Sequence, residues 1–253
     1  MKRLAAIAAN TFREALRQKV LYITLGFMLF LVGAAQVLSP LALGEGPRVV
    51  RDVGLSLVSL FGMFLIVMVG TSLLHKEVER RSIHVLLSKP VARREYLLGK
   101  YAGLVAVLAV CVGAMTVAVF LVDRWMGRAW HPQVLLCGVG TLAELAVLTS
   151  WTLLFSAVAS PLLAGAFTLG FYVIGNAVAD LRDMAALLPS GGNLLVGLSY
   201  VLPNLYVFNF RAQVAEGVWP DAAQLGLALT YAVLYCALIL TVAVGLFQRR
   251  EFA

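Results

Sequence analysis

Long apolar runs alternate with short polar stretches along this chain. The runs cover residues 20–43, 53–74, 101–122, 134–157, 161–179 and 223–247. Each run is close to or above the roughly 20 residues that an α-helix needs to cross the hydrocarbon core of a bilayer. The pattern therefore predicts an all-α, polytopic membrane protein with six transmembrane helices. Because six crossings return the chain to its starting side, both termini are predicted to lie on the same face.

The first 19 residues predict an amphipathic helix ahead of the first run. Its polar arc contains Lys2, Arg3, Asn10, Arg13, Glu14 and Arg17, and its apolar arc contains Leu4, Ile7, Ala8, Phe12, Ala15 and Leu16. A basic amphipathic helix of this kind is typical of a segment that lies in the membrane interface. The alternative is a plain extension of the first transmembrane helix.

The longest polar stretch, residues 76–100, separates the second run from the third. It contains seven Lys or Arg and three Glu, with aliphatic residues interleaved among them. Pro90 cannot lie inside a helix, so the stretch predicts a short surface helix, a break, and a second helix from about Ala92 that continues into the third run. A solvated basic loop is the alternative. The aliphatic residues favour a docking helix, because a loop that only has to stay in water does not need them.

Charge predicts which face each end occupies. The chain has 61% hydrophobic and 13% charged residues and a net charge of +7, so the positive charge is interpreted by membrane side and not as a nucleic-acid-binding signal. With six spans, fourteen Lys or Arg lie on the side of the termini and of residues 76–100, and six lie on the other. Because Lys and Arg near membrane spans are retained in the cytoplasm, both termini and this stretch are predicted to be cytoplasmic in a bacterial cytoplasmic membrane.

Residues 181–222 do not read as a seventh span. A seventh crossing would place Arg249 and Arg250 outside, and Pro and Gly interrupt the apolar sequence. Irregular backbone at membrane depth needs shielding by protein or water. We therefore predict an outer re-entrant hairpin, with Pro203, Asn204 and Asn209 at its break. With no internal repeat, residues 1–253 are predicted to form a single domain.

Glu144 is the one acidic residue well inside a predicted span. About ten residues from the helix end, it would lie roughly 15 Å deep, near the midplane of a core about 30 Å thick. A charge there costs several kcal/mol unless it is paired, protonated or hydrated, by an order-of-magnitude estimate. It is either a polar group that faces a substrate path or subunit interface, or a neutral hydrogen-bonded group that fixes helix packing.

Motifs for enzymatic chemistry are absent from the sequence. There is no G-x-x-x-x-G-K-[ST] phosphate loop, no H-E-x-x-H and no G-x-S-x-G, and Cys111, Cys137 and Cys236 all lie in apolar runs. We therefore expect no enzymatic activity and no bound cofactor or metal in this chain. Gly99 and Gly103 form a G-x-x-x-G pair, which predicts close helix packing only weakly in a chain with 22 glycines.

Three runs of residues resemble one family, the ABC-2 type transporter permeases. They are EVERRSIHVLLSKPVARREYLLGK (77–100), TFREALRQKVLY (11–22) and LPNLYVFN (202–209), and they resemble in particular the branch that includes the nitrous-oxide reductase maturation permease. The resemblance implies that residues 1–19 form a cytoplasmic elbow helix, with Phe12, Arg13, Glu14 and Arg17. It also implies a coupling helix that docks on a separate ATPase subunit. The residues that it places there are Glu77, Glu79, Arg80, Arg81, Ile83, Val85, Leu86, Leu87 and Pro90.

The family implies a transporter of two permeases, as a homodimer or a heterodimer, with two ATPase subunits that hold ATP and Mg. The leading hypothesis is therefore a permease subunit of an ATP-driven exporter that works by alternating access and contacts membrane lipid. The hypothesis from another class is an ATPase-independent membrane scaffold or channel subunit. A neighbouring reading frame with a phosphate loop would favour the first. The resemblance does not identify the cargo.

Overall fold

Helices account for every regular element in the part of the chain that the structure describes. The structure, a computed structural model, describes residues 2–41, 46–71, 93–127, 130–187 and 202–249. The helices are α1 (Lys2–Ala15), α2 (Leu21–Leu41), α3 (Gly46–Leu65), α4 (Arg93–Gly127), α5 (Gln133–Val158), α6 (Pro161–Leu187), α7 (Arg211–Ala215) and α8 (Ala222–Arg249). A π-helical turn at Leu16–Val20 joins α1 to α2, another at Ile66–Gly70 extends α3, and Leu205–Phe208 form a 3₁₀-helix.

Among the described residues, five helices are long and apolar enough to cross a membrane. They are Gly46–Gly70, Arg94–Met126, Gln133–Val158, Pro161–Val178 and Ala222–Leu246, which match the second to sixth predicted spans. The first predicted span corresponds to α2, of which the described apolar part, Tyr22–Val37, is shorter. The polytopic all-α architecture is confirmed, and the sixth crossing stays a prediction.

Helix α5 lies at the centre of the bundle. Of its apolar window, 67% is buried inside the protein, against 28% for α6 and 33% for α8. It packs against α3, α4, α6 and α8, and its buried face includes Leu145, Leu148 and Leu153. Polar side chains that α5 places inside the bundle are therefore shielded from lipid by its neighbours.

Helix α1 packs against the beginning of α4. A Cβ added to Gly99 would lie 2.8 Å from Cβ of Ile7, and one added to Gly103 would lie 2.7 Å from the backbone oxygen of Ala8. Because these contacts advance along both helices in the same direction, α1 runs parallel to the first turns of α4. The weak G-x-x-x-G signal thus marks a real close approach. The partner is the amphipathic N-terminal helix, whose apolar arc contacts protein here.

Two predicted boundaries change in the structure. Between the first two predicted runs, 20–43 and 53–74, the chain is already helical from Gly46. The helix can continue through Arg51 because the charge of this residue is paired with Asp123 inside the protein. Helix α6 continues to Leu187, so the first seven residues of the predicted hairpin belong to it. The described remainder of that hairpin contains only the short 3₁₀-helix and α7, neither of which is long enough to cross a membrane.

Candidate functional site

The Glu144 carboxyl joins three helices inside the bundle. Glu144 is 2% exposed, and its Oε2 accepts a hydrogen bond from Ser59 Oγ of α3 at 3.1 Å. Its Oε1 accepts a bond from Asn176 Nδ2 of α6 at 3.0 Å. Both carboxyl oxygens are therefore bonded to side chains of neighbouring helices. A buried polar group that lacks such partners would cost about 1 to 3 kcal/mol, and a charged one more.

A hydroxyl chain leads from this carboxyl towards the surface of α6. Ser59 Oγ lies 2.9 Å from the Tyr172 hydroxyl, and Tyr172 is half-buried whereas Ser59 is fully buried. The Asn176 amide also donates to the backbone oxygen of Tyr172 at 3.1 Å, which fixes its NH₂ group towards Glu144. The four side chains form the Glu144 cluster: Ser59, Glu144, Tyr172 and Asn176.

Arg211, at the beginning of α7, brings a positive charge to the Glu144 cluster. Its guanidinium interacts electrostatically with both Glu144 and Tyr172. Asn209 orients this side chain, because Asn209 Oδ1 accepts bonds from the backbone N–H and from Nε of Arg211, each at 3.2 Å. The segment after α6 therefore contributes the cation that faces the buried carboxyl.

A second buried polar group fastens the beginning of α3. Arg51, 7% exposed, donates from Nη1 to Asp123 Oδ1 at 2.9 Å and from Nη2 to the backbone oxygen of Ala215 at 2.8 Å. Asp123, 1% exposed, also lies 2.9 Å from His131 Nδ1 through its other oxygen. This Arg51 network connects α3, the end of α4, the α4 to α5 connection and α7.

The segment 202–217 is seated on α5 and α6 by close backbone contacts. A Cβ added to Gly140 would lie 2.9 Å from the backbone oxygen of Phe208, and one added to Gly175 would lie 3.0 Å from that of Pro203. Asn204 donates its backbone N–H to the Tyr231 hydroxyl of α8 at 3.1 Å. Gly140 is four residues, about one turn, from Glu144, and Gly175 directly precedes Asn176, so the segment packs beside the Glu144 cluster.

Comparison with protein families places this bundle in a known group. Residues 5–252 match the family described as ABC-2 family transporter protein. The chain belongs to the ABC-2 transporter family. A comparison with curated proteins found no match. Members of the ABC-2 family are membrane permease subunits of ABC transporters, which associate with an ATPase and often with a second permease.

The family match does not separate its branches, so the resemblance to the nitrous-oxide reductase maturation permease stays a prediction. The residues that the ABC-2 resemblance placed in the coupling helix all lie outside the described part of the chain. They are Glu77, Glu79, Arg80, Arg81, Ile83, Val85, Leu86, Leu87 and Pro90.

The four residues named for the N-terminal helix of this ABC-2 protein lie on α1 and its π turn. Arg13 and Arg17 are exposed, Glu14 is intermediate, and Phe12 packs against the buried core. The same helix contacts α4 around Lys100, which is 2% exposed and whose Nζ lies 5.5 Å from the centroid of the Tyr96 ring. The helix thus presents charge outward and uses its opposite side for packing.

Sequence reasoning identified Glu144, Pro203, Asn204 and Asn209 but missed their partners and the whole Arg51 network. Ser59, Tyr172 and Asn176 are ordinary residues within apolar helices, and Arg51 was counted only as an outer charge. One signal was available: Arg51 and Asp123 are opposite charges at the same predicted end of neighbouring spans. Such charges are expensive to leave unpaired near a bilayer.

Proposed function

We propose that this chain is the transmembrane permease subunit of an ATP-driven ABC exporter, coupled to a separate ATPase subunit that holds ATP and Mg. The observation that carries the proposal is the position of α4 in a chain of this family. Helix α4 begins at Arg93, inside the polar stretch 76–100 and three residues after Pro90, the last of the residues proposed to dock on the ATPase. A displacement of the docking residues would therefore act on α4 through only two intervening residues.

The packing of α1 on α4 supports a role for α1 as the elbow helix. The candidate membrane span of α4, Arg94–Met126, is 33 residues long. At 1.5 Å per residue this is about 50 Å, longer than a core of about 30 Å. Its first turns, where Gly99 and Gly103 contact α1, would then lie at or beyond the cytoplasmic edge of the core. Helix α1 would move with α4 when the ATPase moves the charged stretch.

The segment 202–217 fits an outer re-entrant hairpin. It packs on α5 at Gly140, seven residues after Gln133 at the beginning of that helix, so by length it reaches about 10 Å into the bundle. Its backbone is shielded by α5, α6 and α8, as irregular backbone at membrane depth requires. In an exporter with cytoplasmic termini and six spans in the bacterial cytoplasmic membrane, this hairpin would close the outer side of the bundle.

Copurification tests the proposal. A tagged permease would be expressed together with any neighbouring reading frame that encodes an ABC ATPase and extracted in mild detergent. We expect the two proteins to copurify in equal amounts, as two permeases with two ATPases, and the ATPase rate to change when the permease is present. A permease that keeps its cellular function in a strain without any copurifying ATPase would instead support the scaffold or channel hypothesis.

A further inference from the structure

The hydrogen bonds around Glu144 fit an ionised carboxyl. An ionised carboxyl only accepts hydrogen bonds, and here one oxygen accepts from Ser59 and the other from Asn176. The Asn176 NH₂ group can donate a hydrogen bond to Glu144 but cannot accept one from it. Its orientation is fixed by a second hydrogen bond, to the backbone oxygen of Tyr172. Ser59 can donate to Glu144 while it accepts from Tyr172. The cluster therefore directs two hydrogen-bond donors, Ser59 and Asn176, at one buried carboxyl.

The same atoms can also hold a proton without moving. If a proton reaches the Tyr172 hydroxyl, Tyr172 passes its own hydrogen to Ser59 Oγ, and Ser59 passes its hydrogen to Glu144 Oε2. The O–H of Glu144 then donates to Ser59, and that of Ser59 donates to Tyr172, across the same 3.1 and 2.9 Å separations. One proton is added, one negative charge is neutralised, and the new O–H of Tyr172 points away from the cluster. Tyr172 is half-buried whereas Ser59 and Glu144 are buried, so Tyr172 is the outermost group of the chain.

Arg211 is the group that would respond to this change. Its attraction to Glu144 is strong only while the carboxyl is ionised, because the interior has a low effective dielectric. After protonation the nearby Tyr172 hydroxyl has a hydrogen to donate, and a guanidinium, which has no acceptor, cannot receive it. The electrostatic attraction that holds the Arg211 guanidinium beside the cluster would then be weaker. Asn209 links the Arg211 side chain to the backbone of the segment through hydrogen bonds. A weaker attraction between Arg211 and Glu144 would therefore also weaken the attachment of the segment around these two residues.

We infer that Glu144, Ser59 and Tyr172 form an intramembrane proton-binding site, and that uptake of a proton there releases Arg211 and with it the part of the segment that precedes α7, residues 202–210. Two observations join in this inference: the hydroxyl chain from a half-buried tyrosine to a buried carboxyl, and the cation that the segment holds beside that carboxyl. Among the described residues, Cys137 on α5, which is buried, interacts electrostatically with Glu144 and Arg211, and also with Asp52 on α3, which is exposed. The inference rests on the proposed function only in treating release of the segment as a step of transport.

Infrared spectroscopy tests the proton site directly. Purified full-length permease in lipid nanodiscs would be titrated from alkaline to acidic pH, and the C=O stretch of a protonated carboxyl would be followed in difference spectra. We expect a band that is lost in Glu144→Gln and shifted in Ser59→Ala, which removes the hydroxyl partner. Thr168→Val is the matched control: the bond between the Thr152 and Thr168 hydroxyls, at 3.1 Å, also joins α5 to α6 but contains no titratable group. Difference spectra that are the same in the wild type and in Glu144→Gln would overturn the inference.

A distance measurement tests the link to the segment. Spin labels would be placed at the exposed residues Tyr206 and Leu162, the second in the first turn of α6, after replacement of the three native cysteines. We expect a longer distance to gain population as the pH falls in the wild type. Glu144→Gln and Arg211→Gln should show the longer distance at every pH, and Thr168→Val should behave like the wild type. Distances that do not change with pH or with Glu144→Gln would show that the segment is not linked to the carboxyl.

Both measurements use the permease alone. If no ATPase binds this protein, the proposed function fails but the infrared band and the distance change are unaffected. If the band and the distance change are missing while an ATPase copurifies, only the proton site is wrong.

Discussion

Arg51 of α3 donates through Nη2 to the backbone oxygen of Ala215, 2.8 Å away, although 164 residues separate them in the sequence. The same guanidinium pairs with Asp123, so one buried side chain holds the segment 202–217 against the ends of two long helices. Gln133 adds a second bond of this kind, from Nε2 to the backbone oxygen of Gly217 at 2.9 Å. The C-terminal part of the segment is thus fastened by backbone acceptors, which any sequence of α7 would provide.

Removal of Arg51 should therefore destabilise the protein strongly. Arg51→Met leaves Asp123 buried without its main cation, and the loss of one partner of a buried ion pair costs about 3 to 5 kcal/mol. We expect the lower end of this range, because His131 still lies beside Asp123. Thermal unfolding of the purified permease in detergent measures the effect. The double variant Arg51→Met with Asp123→Leu should be less destabilised than the sum of the single variants.

The matched control is the exposed pair of Arg48 and Glu216, whose atoms also lie 2.9 Å apart between α3 and the same segment. An exposed ion pair contributes about 0 to 1 kcal/mol. Arg48→Met should leave the unfolding midpoint nearly unchanged. If Arg48→Met and Arg51→Met lowered the midpoint equally, burial would not be the reason for the importance of Arg51.

Gly103 should be required for the docking of α1 on α4. A Cβ at this position would lie 2.7 Å from a backbone oxygen, which cannot rotate away as a side chain can. Gly103→Leu should force the helices apart and cost about 1 to 3 kcal/mol, the usual range for an overpacked site. The unfolding midpoint of the purified permease in detergent measures this cost.

Gly113 on the same helix provides the control. Nothing in the described structure lies within 4 Å of a Cβ added there. Gly113→Leu should keep the unfolding midpoint of the parent protein. A similar loss in both variants would mean that the effect comes from a bulky residue anywhere in α4 and not from contact with α1.

The apolar helices could be predicted from the sequence because their signal is local. Run length alone located the second to sixth spans, and Pro90 followed by a helix-forming sequence indicated that α4 begins near Ala92; it begins at Arg93. The depth of Glu144 followed from its position in its run. Each of these inferences needs only neighbours along the chain and the thickness of a bilayer.

The partners of the buried polar residues could not be predicted, because they depend on which helices pack together. Ser59 and Asn176 reach Glu144 from helices that lie 85 and 32 residues away. Asn209 was identified as part of an irregular segment, but its role in orienting Arg211 requires the geometry of that segment. The beginning of α3 at Gly46 could not be predicted for a related reason. A charged residue at position 51 indicates a loop between two spans unless Asp123 is known to lie beside it.

Membrane topology can be tested with single cysteines. The basic residues divide fourteen to six between the two sides of the six-span arrangement, which predicts that residues 76–100 are cytoplasmic and residues 181–222 are outside. Cysteines that replace Ser88 and Gly192 should react with a membrane-impermeant maleimide from opposite faces in intact cells and inverted vesicles. Labelling of both from one face would exclude six spans.

The aliphatic residues of the charged stretch should contribute more to ATPase binding than its charges. An apolar side chain buried at an interface contributes roughly 1.5 to 3 kcal/mol, whereas an exposed ion pair contributes less than about 1 kcal/mol. Leu86→Ser with Leu87→Ser should therefore release the ATPase and uncouple ATP hydrolysis from transport. Neither residue lies in a predicted span, so the permease should still insert into the membrane.

The charge variant Arg80→Gln with Arg81→Gln provides the comparison for the leucine variant, because it changes two neighbouring residues of the same stretch without removing apolar surface. The ratio of copurified ATPase to permease, measured for both variants at equal membrane levels, separates the two contributions. We expect a loss of more than about tenfold in affinity for the leucine variant, since 1.4 kcal/mol corresponds to a factor of ten. The arginine variant should lose less than that. A leucine variant that retains its ATPase at the normal ratio and still transports would show that residues 76–92 form a solvated loop, and that the ATPase contacts another surface of this permease.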